Sequence, residues 1–161
     1  MIDSSGVLKY FLFPGTLFAD PKPHQISTVL GSCVAVCLWD SKLGIGGINH
    51  YMLPLWSGEG LATPNYGNIA IEQLFDRMRI MGCQPDQLVA KIFGGANVTG
   101  AGNPGYLIGD RNIALAEQVL PEMGIPIIAC DVGGRVGRKI IFDTGSGTVI
   151  VGKGRLNAMV E

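Results

Sequence analysis

The chain has 161 residues, of which 47% are hydrophobic and only 16% are charged. This length fits a single domain over residues 1–161, and the composition excludes intrinsic disorder, which requires low hydrophobicity and high net charge. The net charge of −1 offers no electrostatic surface for nucleic acid or an anionic membrane. No apolar run is long enough for a membrane span or a signal peptide, so we expect a cytoplasmic protein without membrane insertion.

Hydrophobic periodicity and turn signals predict strands interrupted by two helices. In chain order the predicted elements are strands over Val7–Phe13, Gln25–Leu30, Cys33–Trp39 and Ile45–Met52, a helix over Tyr66–Met81, a strand over Leu88–Phe93, a helix from Asp110 to Met123, and strands over Pro126–Cys130, Lys139–Thr144 and Thr148–Gly152. A Gly-Ser-Gly turn at 145–147 predicts that the last two strands form a hairpin. The predicted fold class is α/β, with mixed sheets.

Four cysteines are scattered along the chain without a Cys-x-x-Cys pair, at positions 33, 37, 83 and 130. Because the chain lacks secretory signals, they are expected to be free cytosolic thiols. Cys37 follows Cys33 within one apolar run and is expected to be a core residue. Only two histidines are present and the 13 acidic residues are dispersed, so no metal site is expected.

The clearest chemical pairing joins one cysteine to one histidine. Cys33 follows the turn Gly31-Ser32, and His50 lies near the end of the next strand. If the turn Asp40–Gly44 closes an antiparallel hairpin, the two residues come close together at its open end. The imidazole could then take the thiol proton, and backbone amides beside the turn could bind an oxyanion. The alternative is that both are ordinary buried residues, as isolated cysteines usually are.

A competing candidate is the glycine-rich loop over residues 94–105. Its segment 100–105 matches the pattern Gly-x-Gly-x-x-Gly of dinucleotide-binding proteins. However, the segment lies too far from the preceding strand, a proline interrupts the turn, and no acidic residue follows at the distance that a ribose contact needs. The loop is therefore expected to shape the rim of a pocket, and no cofactor is expected.

Five short segments carry a recognisable series of motifs in a fixed order. They are Leu-Gly-Ser-Cys-Val at 30–34, His-Tyr-Met-Leu-Pro at 50–54, Lys-Ile-Phe-Gly-Gly-Ala at 91–96, Ile-Gly-Asp-Arg-Asn at 108–112 and Asp-Val-Gly-Gly-Arg-Val-Gly-Arg-Lys at 131–139. The series resembles the CheD family of chemoreceptor glutamine deamidases, and the likeness runs from residue 7 to residue 151. Several motifs in one order are far more specific than any one of them.

The resemblance implies an α/β sandwich of mixed sheets with two or three helices and a Cys-His-Thr site similar to that of deamidating bacterial toxins. The implied reaction hydrolyses glutamine side-chain amides on chemoreceptors to glutamate through a cysteine thioester, and receptor methyl esters are a second implied substrate. By motif, Cys33 is the nucleophile and His50 the base. The family's threonine, six residues before the cysteine, falls on Ser27. Thr28 is adjacent, and the hydroxyl of either residue could orient His50. No cofactor or metal is implied.

The implied partners are the cytoplasmic helices of chemoreceptors and a CheC-type phosphatase. For such a protein substrate, the loops over residues 55–64 and 94–105 are expected to form the docking rim. Two other functions stay open at this point. One is a non-catalytic adaptor that binds the receptor or the phosphatase, and the other is a nucleotide-binding enzyme that uses the 100–105 loop.

Overall fold

The computed structural model of the protein describes residues 2, 5–100, 102 and 107–154. In these ranges the chain forms β1 (Lys9–Phe11), β2 (Leu17–Asp20), β3 (Gln25–Leu30), β4 (Val34–Asp40), β5 (Ile45–Asn49), α1 (Gly67–Ile80), a 3₁₀ helix (Pro85–Gln87), β6 (Leu88–Gly94), α2 (Ile108–Glu122), β7 (Ile127–Val132), β8 (Arg138–Asp143) and β9 (Val149–Lys153). No helix in the described part of the chain is long and apolar enough to cross a membrane.

The strands form two mixed sheets. One has four strands in the order β1-β3-β8-β9, and the other has five in the order β2-β5-β4-β6-β7. The pairs β1–β3 and β6–β7 are parallel, and all other neighbouring pairs in the two sheets are antiparallel. The predicted α/β class with mixed sheets is confirmed, as is the hairpin of the last two strands.

The five-stranded sheet is the middle of three layers. One of its faces packs against α1 and α2 through a core that includes Leu74 and Leu120. The other face packs against the four-stranded sheet through a core that includes Ile48, Phe93 and Phe142. The central strand β4 is buried along nearly its whole length, as its continuous apolar run predicts.

The turn between β4 and β5 is held by Asp40. Its Oδ1 accepts hydrogen bonds from the backbone amides of Lys42 at 2.9 Å and Leu43 at 3.1 Å. Its carbonyl accepts from the amide of Gly44 at 2.9 Å, and Gly44 has a φ of 65°, which residues with a Cβ disfavour. These contacts close the predicted hairpin and so determine which residues of β4 and β5 face each other.

A buried arginine ties the two sheets together beyond this hairpin. Arg138 of β8 is only 1% exposed, and its Nη1 lies 2.5 Å from both the carbonyl oxygen and the carboxylate of Asp131 in β7. Its Nη2 donates to the carbonyl of Gly133. The carboxylate of Asp131 also pairs with the ammonium of Lys153 at 2.8 Å. The ion pair therefore spans the interface between the sheets.

The sequence-based boundaries differ from the structure in two informative places. Strand β2 was not predicted, because its four residues are bracketed by Pro14-Gly15 and Pro21 and are too few for a clear alternation. The strand predicted over Ile45–Met52 ends at Asn49, since the chain leaves the regular ladder where His50 begins. This early end matters because it creates the irregular geometry of the site.

Candidate active site

Cys33 lies at the junction between a turn and β4. Its side chain is partly exposed and packs against the core between the two sheets. The backbone around it is anchored from behind, because the amide of Gly95 donates to the Cys33 carbonyl at 2.8 Å and the amide of Ala96 donates to the Gly31 carbonyl at 2.9 Å. The residue type at position 94 follows from this packing. Gly94 has a φ of 108°, and a Cβ there would collide with the Cys33 carbonyl oxygen.

These contacts assign a structural role to the first part of the glycine-rich loop. Residues 94–96 support the backbone of Cys33, and the amide of Asn97 donates to the carbonyl of Gly134 at 2.9 Å. Of the 100–105 segment that matches the dinucleotide pattern, residues 101 and 103–105 lie outside the described part of the chain.

The hairpin brings Cys33 and His50 to the same face of the five-stranded sheet. Val34 and Tyr51 exchange two backbone hydrogen bonds of 3.1 and 2.9 Å. Since Cys33 precedes Val34 and His50 precedes Tyr51, the two residues are diagonal neighbours across the antiparallel pair. The side chains point away from the helices and toward the four-stranded sheet. No hydrogen bond joins the Cys33 thiol to the His50 ring in this geometry.

The same register places Cys37, the cysteine within β4, as near to His50 along the strand as Cys33 is. The residue opposite His50 is Ala35, so Cys33 and Cys37 are each two residues from it along the strand. Distance along the strand therefore does not separate the two thiols. The two thiols differ in burial. Cys37 is 1% exposed, and burial raises the pKa of its thiol far more than the nearby Lys91 charge lowers it.

His50 is held by contacts to both its ring and its backbone. Its ring Nδ1 lies 2.7 Å from Thr28 Oγ1 of β3. Its amide donates to the Thr16 carbonyl at 3.1 Å, and its carbonyl accepts from the Gly15 amide at 2.8 Å. The ring is therefore oriented by the four-stranded sheet, while the backbone is fixed by the connection between β1 and β2.

The Thr28 hydroxyl determines which ring nitrogen of His50 carries the hydrogen. Thr28 Oγ1 donates to the carbonyl of Leu12 at 2.8 Å, and a hydroxyl has only one proton to donate. Its oxygen must therefore accept from His50, whose Nδ1 carries the hydrogen. In a neutral imidazole this leaves Nε2 with a lone pair that can accept a proton. Nε2 is buried and has no hydrogen-bond partner among the described residues.

Ser27, which motif spacing assigns to the third position of the site, lies on the opposite face of β3. Successive residues of a strand point to opposite faces, and Thr28 is buried while Ser27 is partly exposed in a surface cavity. Of the two adjacent hydroxyls, the one that contacts His50 is that of Thr28 and not that of Ser27. A sequence signal for it existed, since Ile26, Thr28 and Leu30 alternate on the core face.

The electrostatics of the site favour an uncharged resting pair. Burial lowers the pKa of His50 to about 4, because an imidazolium loses its hydration there. Burial also raises the pKa of the Cys33 thiol, and a hydrogen bond from the Cys33 amide partly offsets that rise. At neutral pH the two side chains are therefore a thiol and a neutral imidazole rather than a thiolate–imidazolium ion pair.

The remaining cysteines lie elsewhere in the fold. Burial and the nearby Asp40 carboxylate raise the pKa of Cys83 to about 11, and Cys130 is exposed on β7. In the described ranges, no group of three or more His, Cys, Asp or Glu side chains is arranged to hold a metal ion. Cys33 is thus the one described cysteine that combines partial exposure with a histidine on the neighbouring strand.

Unpaired polar atoms are concentrated around the site. Four buried side-chain nitrogen or oxygen atoms in the described part of the chain have no hydrogen-bond partner, and three of them belong to Asn49, His50 and Asn112. Each asparagine uses its other polar atom on the Cys33 segment: Asn49 Oδ1 accepts from the Val36 amide at 2.9 Å, and Asn112 Nδ2 donates to the Ser32 carbonyl at 3.0 Å. Such unpaired atoms are rare in native proteins and need an explanation. Sequence reasoning gave neither asparagine a role, because a lone asparagine carries no spacing signal.

Comparison with known proteins identifies the family of this chain. Residues 52–153 match the family model described as CheD chemotactic sensory transduction. A protein of Trichlorobacter lovleyi named probable chemoreceptor glutamine deamidase CheD is 54% identical over 153 residues, which cover 95% of each chain.

Two further relatives have the same name. The protein of Sulfurimonas denitrificans is 51% identical over 89% of this chain and 92% of its own length. The protein of Rhodospirillum rubrum is 44% identical over 89% of this chain and 81% of its own length. With this identity over nearly its whole length, the chain belongs to the CheD family.

Proposed function

We propose that this protein hydrolyses the side-chain amides of chemoreceptor glutamines to glutamate and releases ammonia. The observation that carries the proposal is the buried Nε2 of His50, which has no hydrogen-bond partner among the described residues and lies on the same sheet face as Cys33. Its proton-accepting state follows from Thr28, whose single proton goes to Leu12. Relatives named chemoreceptor glutamine deamidase, at 54% and 51% identity, support the substrate class.

The first step is attack by the Cys33 sulfur on the carbon of the glutamine amide. His50 Nε2 takes the thiol proton as the carbon–sulfur bond forms. Because the resting pair is neutral, this proton transfer accompanies the attack rather than preceding it. The His50 ring becomes an imidazolium, and the hydrogen bond from its Nδ1 to Thr28 then stabilises a charged donor, which strengthens that bond.

The intermediate of the first step carries its negative charge on the former amide oxygen. The Cys33 amide is the proposed donor to this oxyanion, since it already faces its own sulfur. His50 returns its proton to the leaving nitrogen, the carbon–nitrogen bond breaks, and ammonia departs from the thioester. Water, deprotonated by His50, then attacks the thioester carbon, which yields glutamate and restores the thiol.

A recess beside Ser32 is the proposed entrance for the glutamine side chain. Its volume is about 260 Å³, and it is lined by the loop 96–99 and by the first turn of α2. Two exposed apolar side chains, Val98 and Ile108, line this recess. A protein segment with apolar residues beside its glutamine would cover them, which fits a protein substrate better than free glutamine.

The proposed substrates are the cytoplasmic helices of chemoreceptors, and the proposed compartment is the cytoplasm. The family resemblance extends the proposal to receptor methyl esters, which the same nucleophile and oxyanion donor would serve. It also extends to a CheC-type phosphatase as binding partner. Sedimentation of the two purified proteins together tests the partnership. A complex at micromolar concentration is expected. If the two proteins sediment as separate boundaries, the phosphatase is not a binding partner, and the proposed reaction is unaffected.

The decisive experiment is incubation of the protein with a chemoreceptor cytoplasmic fragment, followed by peptide mass spectrometry and ammonia measurement. Wild-type protein should convert particular glutamines to glutamate, with one ammonia released for each conversion. Cys33→Ala and His50→Ala should do neither while retaining their thermal transitions, and Lys42→Ala, at the far end of the same hairpin, should match wild type. A fragment that binds the folded protein but is never converted would favour the adaptor function instead.

A further inference from the structure

Asn112 is a buried polar residue that contacts both segments of the candidate active site. It lies in the second turn of α2 and is 0% exposed. Its Nδ2 donates to the Ser32 carbonyl at 3.0 Å and to the Met52 carbonyl at 3.1 Å. Ser32 immediately precedes Cys33, and Met52 is two residues after His50. One side-chain amide therefore joins the two segments that carry the reacting groups.

The side-chain amide of Asn112 lies where the backbone hydrogen bonding between the β4 and β5 segments is interrupted. In a continuing antiparallel ladder, the next hydrogen-bonded pair after Val34 and Tyr51 would be Ser32 and Leu53. Leu53 is instead turned to another segment, since its amide donates to Asn65 at 3.0 Å and its carbonyl accepts from Gly67 at 2.8 Å. The Ser32 carbonyl thus has no backbone partner in the ladder and accepts a hydrogen bond from Asn112 Nδ2 instead. The asparagine side chain therefore replaces the backbone hydrogen bonding that a Ser32–Leu53 pair would have provided.

The helix that carries Asn112 is itself fixed to the site. Tyr51, which follows His50, donates its hydroxyl hydrogen to the Asn112 carbonyl at 2.5 Å. Gly109, one turn earlier, packs so closely on Gly95 that a Cβ at position 109 would collide with the Gly95 carbonyl, and Gly95 in turn donates to Cys33. Asn112 is therefore held in place by both sides of the site that it bridges.

The two hydrogen bonds that Asn112 donates determine the orientation of its side-chain amide. Both hydrogens of Nδ2 point at carbonyl oxygens, so a flipped amide would bring its oxygen against two acceptors. In this orientation Oδ1 is buried without a hydrogen-bond partner in the described ranges. The amide therefore keeps both donated bonds at the cost of a buried acceptor without a protein partner.

We infer that Asn112 is a positioning residue, whose side-chain amide sets the separation of Cys33 and His50 by holding the carbonyls of Ser32 and Met52 at one point. This inference rests on the function proposed above. Without the amide, no hydrogen bond in the described ranges joins the two segments on the open side of the Val34–Tyr51 pair, so the thiol and the imidazole would sample a wider range of separations. The expected loss is in the rate of the chemical step and not in substrate binding.

The test compares Asn112→Leu with Leu120→Ala in the full chain. Leucine has the same branched shape and the same number of heavy atoms as asparagine, but it donates no hydrogen bond. Leu120 is a buried residue of the same helix, about 12 Å further along it, and its truncation lowers stability without touching the site. Both variants are assayed on the receptor fragment well below their melting temperatures. Asn112→Leu should lower kcat by about 10- to 100-fold with little change in KM, as expected for lost orientation, whereas Leu120→Ala should keep kcat within about twofold of wild type.

A second readout does not require a substrate. In a Cys130→Ser background, the rate of Cys33 alkylation is measured against pH. Asn112→Leu should shift this pH profile and Leu120→Ala should not. If wild-type protein fails to deamidate the fragment, the proposed function fails, and the alkylation profile still decides the role of Asn112. An unchanged kcat and an unchanged profile in folded Asn112→Leu, or parallel losses in both variants, would overturn the inference.

If Asn112→Leu does not fold, Asn112→Asp replaces it. A protonated carboxyl can donate one of the two hydrogen bonds, whereas an ionised carboxylate repels both carbonyls. The activity of this variant relative to wild type should therefore fall as the pH rises. A ratio that stays near one across the pH range would count against the positioning role.

Discussion

Thr28 and His50 come from different sheets and meet across the interface between them, with Thr28 Oγ1 2.7 Å from His50 Nδ1. The nucleophile and the base proposed here lie on one sheet, and the group that orients the base lies on the other. The packing of the two layers is therefore part of the active-site geometry. A change that separates the layers should weaken this contact before it disturbs the hairpin that carries Cys33.

Removing the Thr28 hydroxyl should impair catalysis, and removing the Ser27 hydroxyl should not. Thr28→Val keeps the shape of the side chain but leaves the Nδ1–H of His50 buried without an acceptor, which costs about 1–3 kcal/mol. We expect kcat to fall by about 10- to 100-fold, which corresponds to about 1.4–2.7 kcal/mol. Ser27→Ala is the matched control on the neighbouring residue and should stay within about twofold of wild type. Equal losses in both variants, measured by ammonia release, would contradict the assignment of Thr28.

The two cysteines of the β4 region should separate activity from stability. Cys33→Ser should lower deamidation by about 10⁴-fold or more, as loss of a nucleophile does in other hydrolases, without changing the melting temperature appreciably. Cys37→Ala should keep most of the activity and lose about 1–2 kcal/mol of stability through a small cavity in the core. Ammonia release and thermal melting of both variants check this pair of expectations. A well-folded but inactive Cys37→Ala would reverse the assignment of the nucleophile.

Acidification should destabilise the protein partly through His50. Its pKa is lowered to about 4 in the folded state, from 6.5, so between these values the unfolded chain binds the proton more tightly. Stability from this residue is complete above pH 6.5 and is lost as the pH falls toward 4. The full effect is about 3 kcal/mol. Urea unfolding of wild type and His50→Gln at pH 7 and pH 4 measures this effect. The free energy of unfolding should fall further between the two pH values in wild type than in the variant. Equal losses in the two proteins would mean that His50 is not destabilised in its charged form.

The two cations that pair with Asp131, Arg138 and Lys153, should contribute unequally to stability. Asp131→Ala leaves the buried guanidinium of Arg138 without its carboxylate and should cost about 3 kcal/mol, at the low end for a broken buried pair because two carbonyl partners remain. Lys153→Met removes the more exposed partner of the same carboxylate and should cost less than about 1 kcal/mol. Chemical unfolding of the two variants compares their free energies of unfolding. Similar losses in both would show that the burial of the cation does not determine how much its ion pair contributes.

The sequence predicted the part of the site that depends on local chain geometry. A short turn with Asp40 and Gly44 between two apolar strands is enough to expect an antiparallel hairpin, and the hairpin brings Cys33 near His50. Motif spacing pointed to Ser27 and left Thr28 as the alternative, because spacing specifies a position along the chain and not a face of the strand. The alternation of Ile26, Thr28 and Leu30 contained that information.

Two other features depend on contacts that are distant in sequence. Asn112 reaches Ser32 across 80 residues and Met52 across 60, and no local pattern predicts which carbonyl a helix asparagine will meet. Strand β2 was missed for a different reason, since its four partly buried residues are stabilised mainly by pairing with β5. In both cases tertiary packing, rather than propensity, determines the structure.

The uncharged resting state of Cys33 also bears on how the protein tolerates oxidants. Peroxides and disulfides react with thiolates and hardly at all with thiols. Because burial raises the pKa of Cys33, its sulfur stays protonated at neutral pH, and in the proposed reaction it loses its proton only as it attacks the amide carbon. Under that proposal, reactivity is coupled to the presence of a substrate, and the thiol should be protected from sulfenic acid formation during the intervals between turnovers.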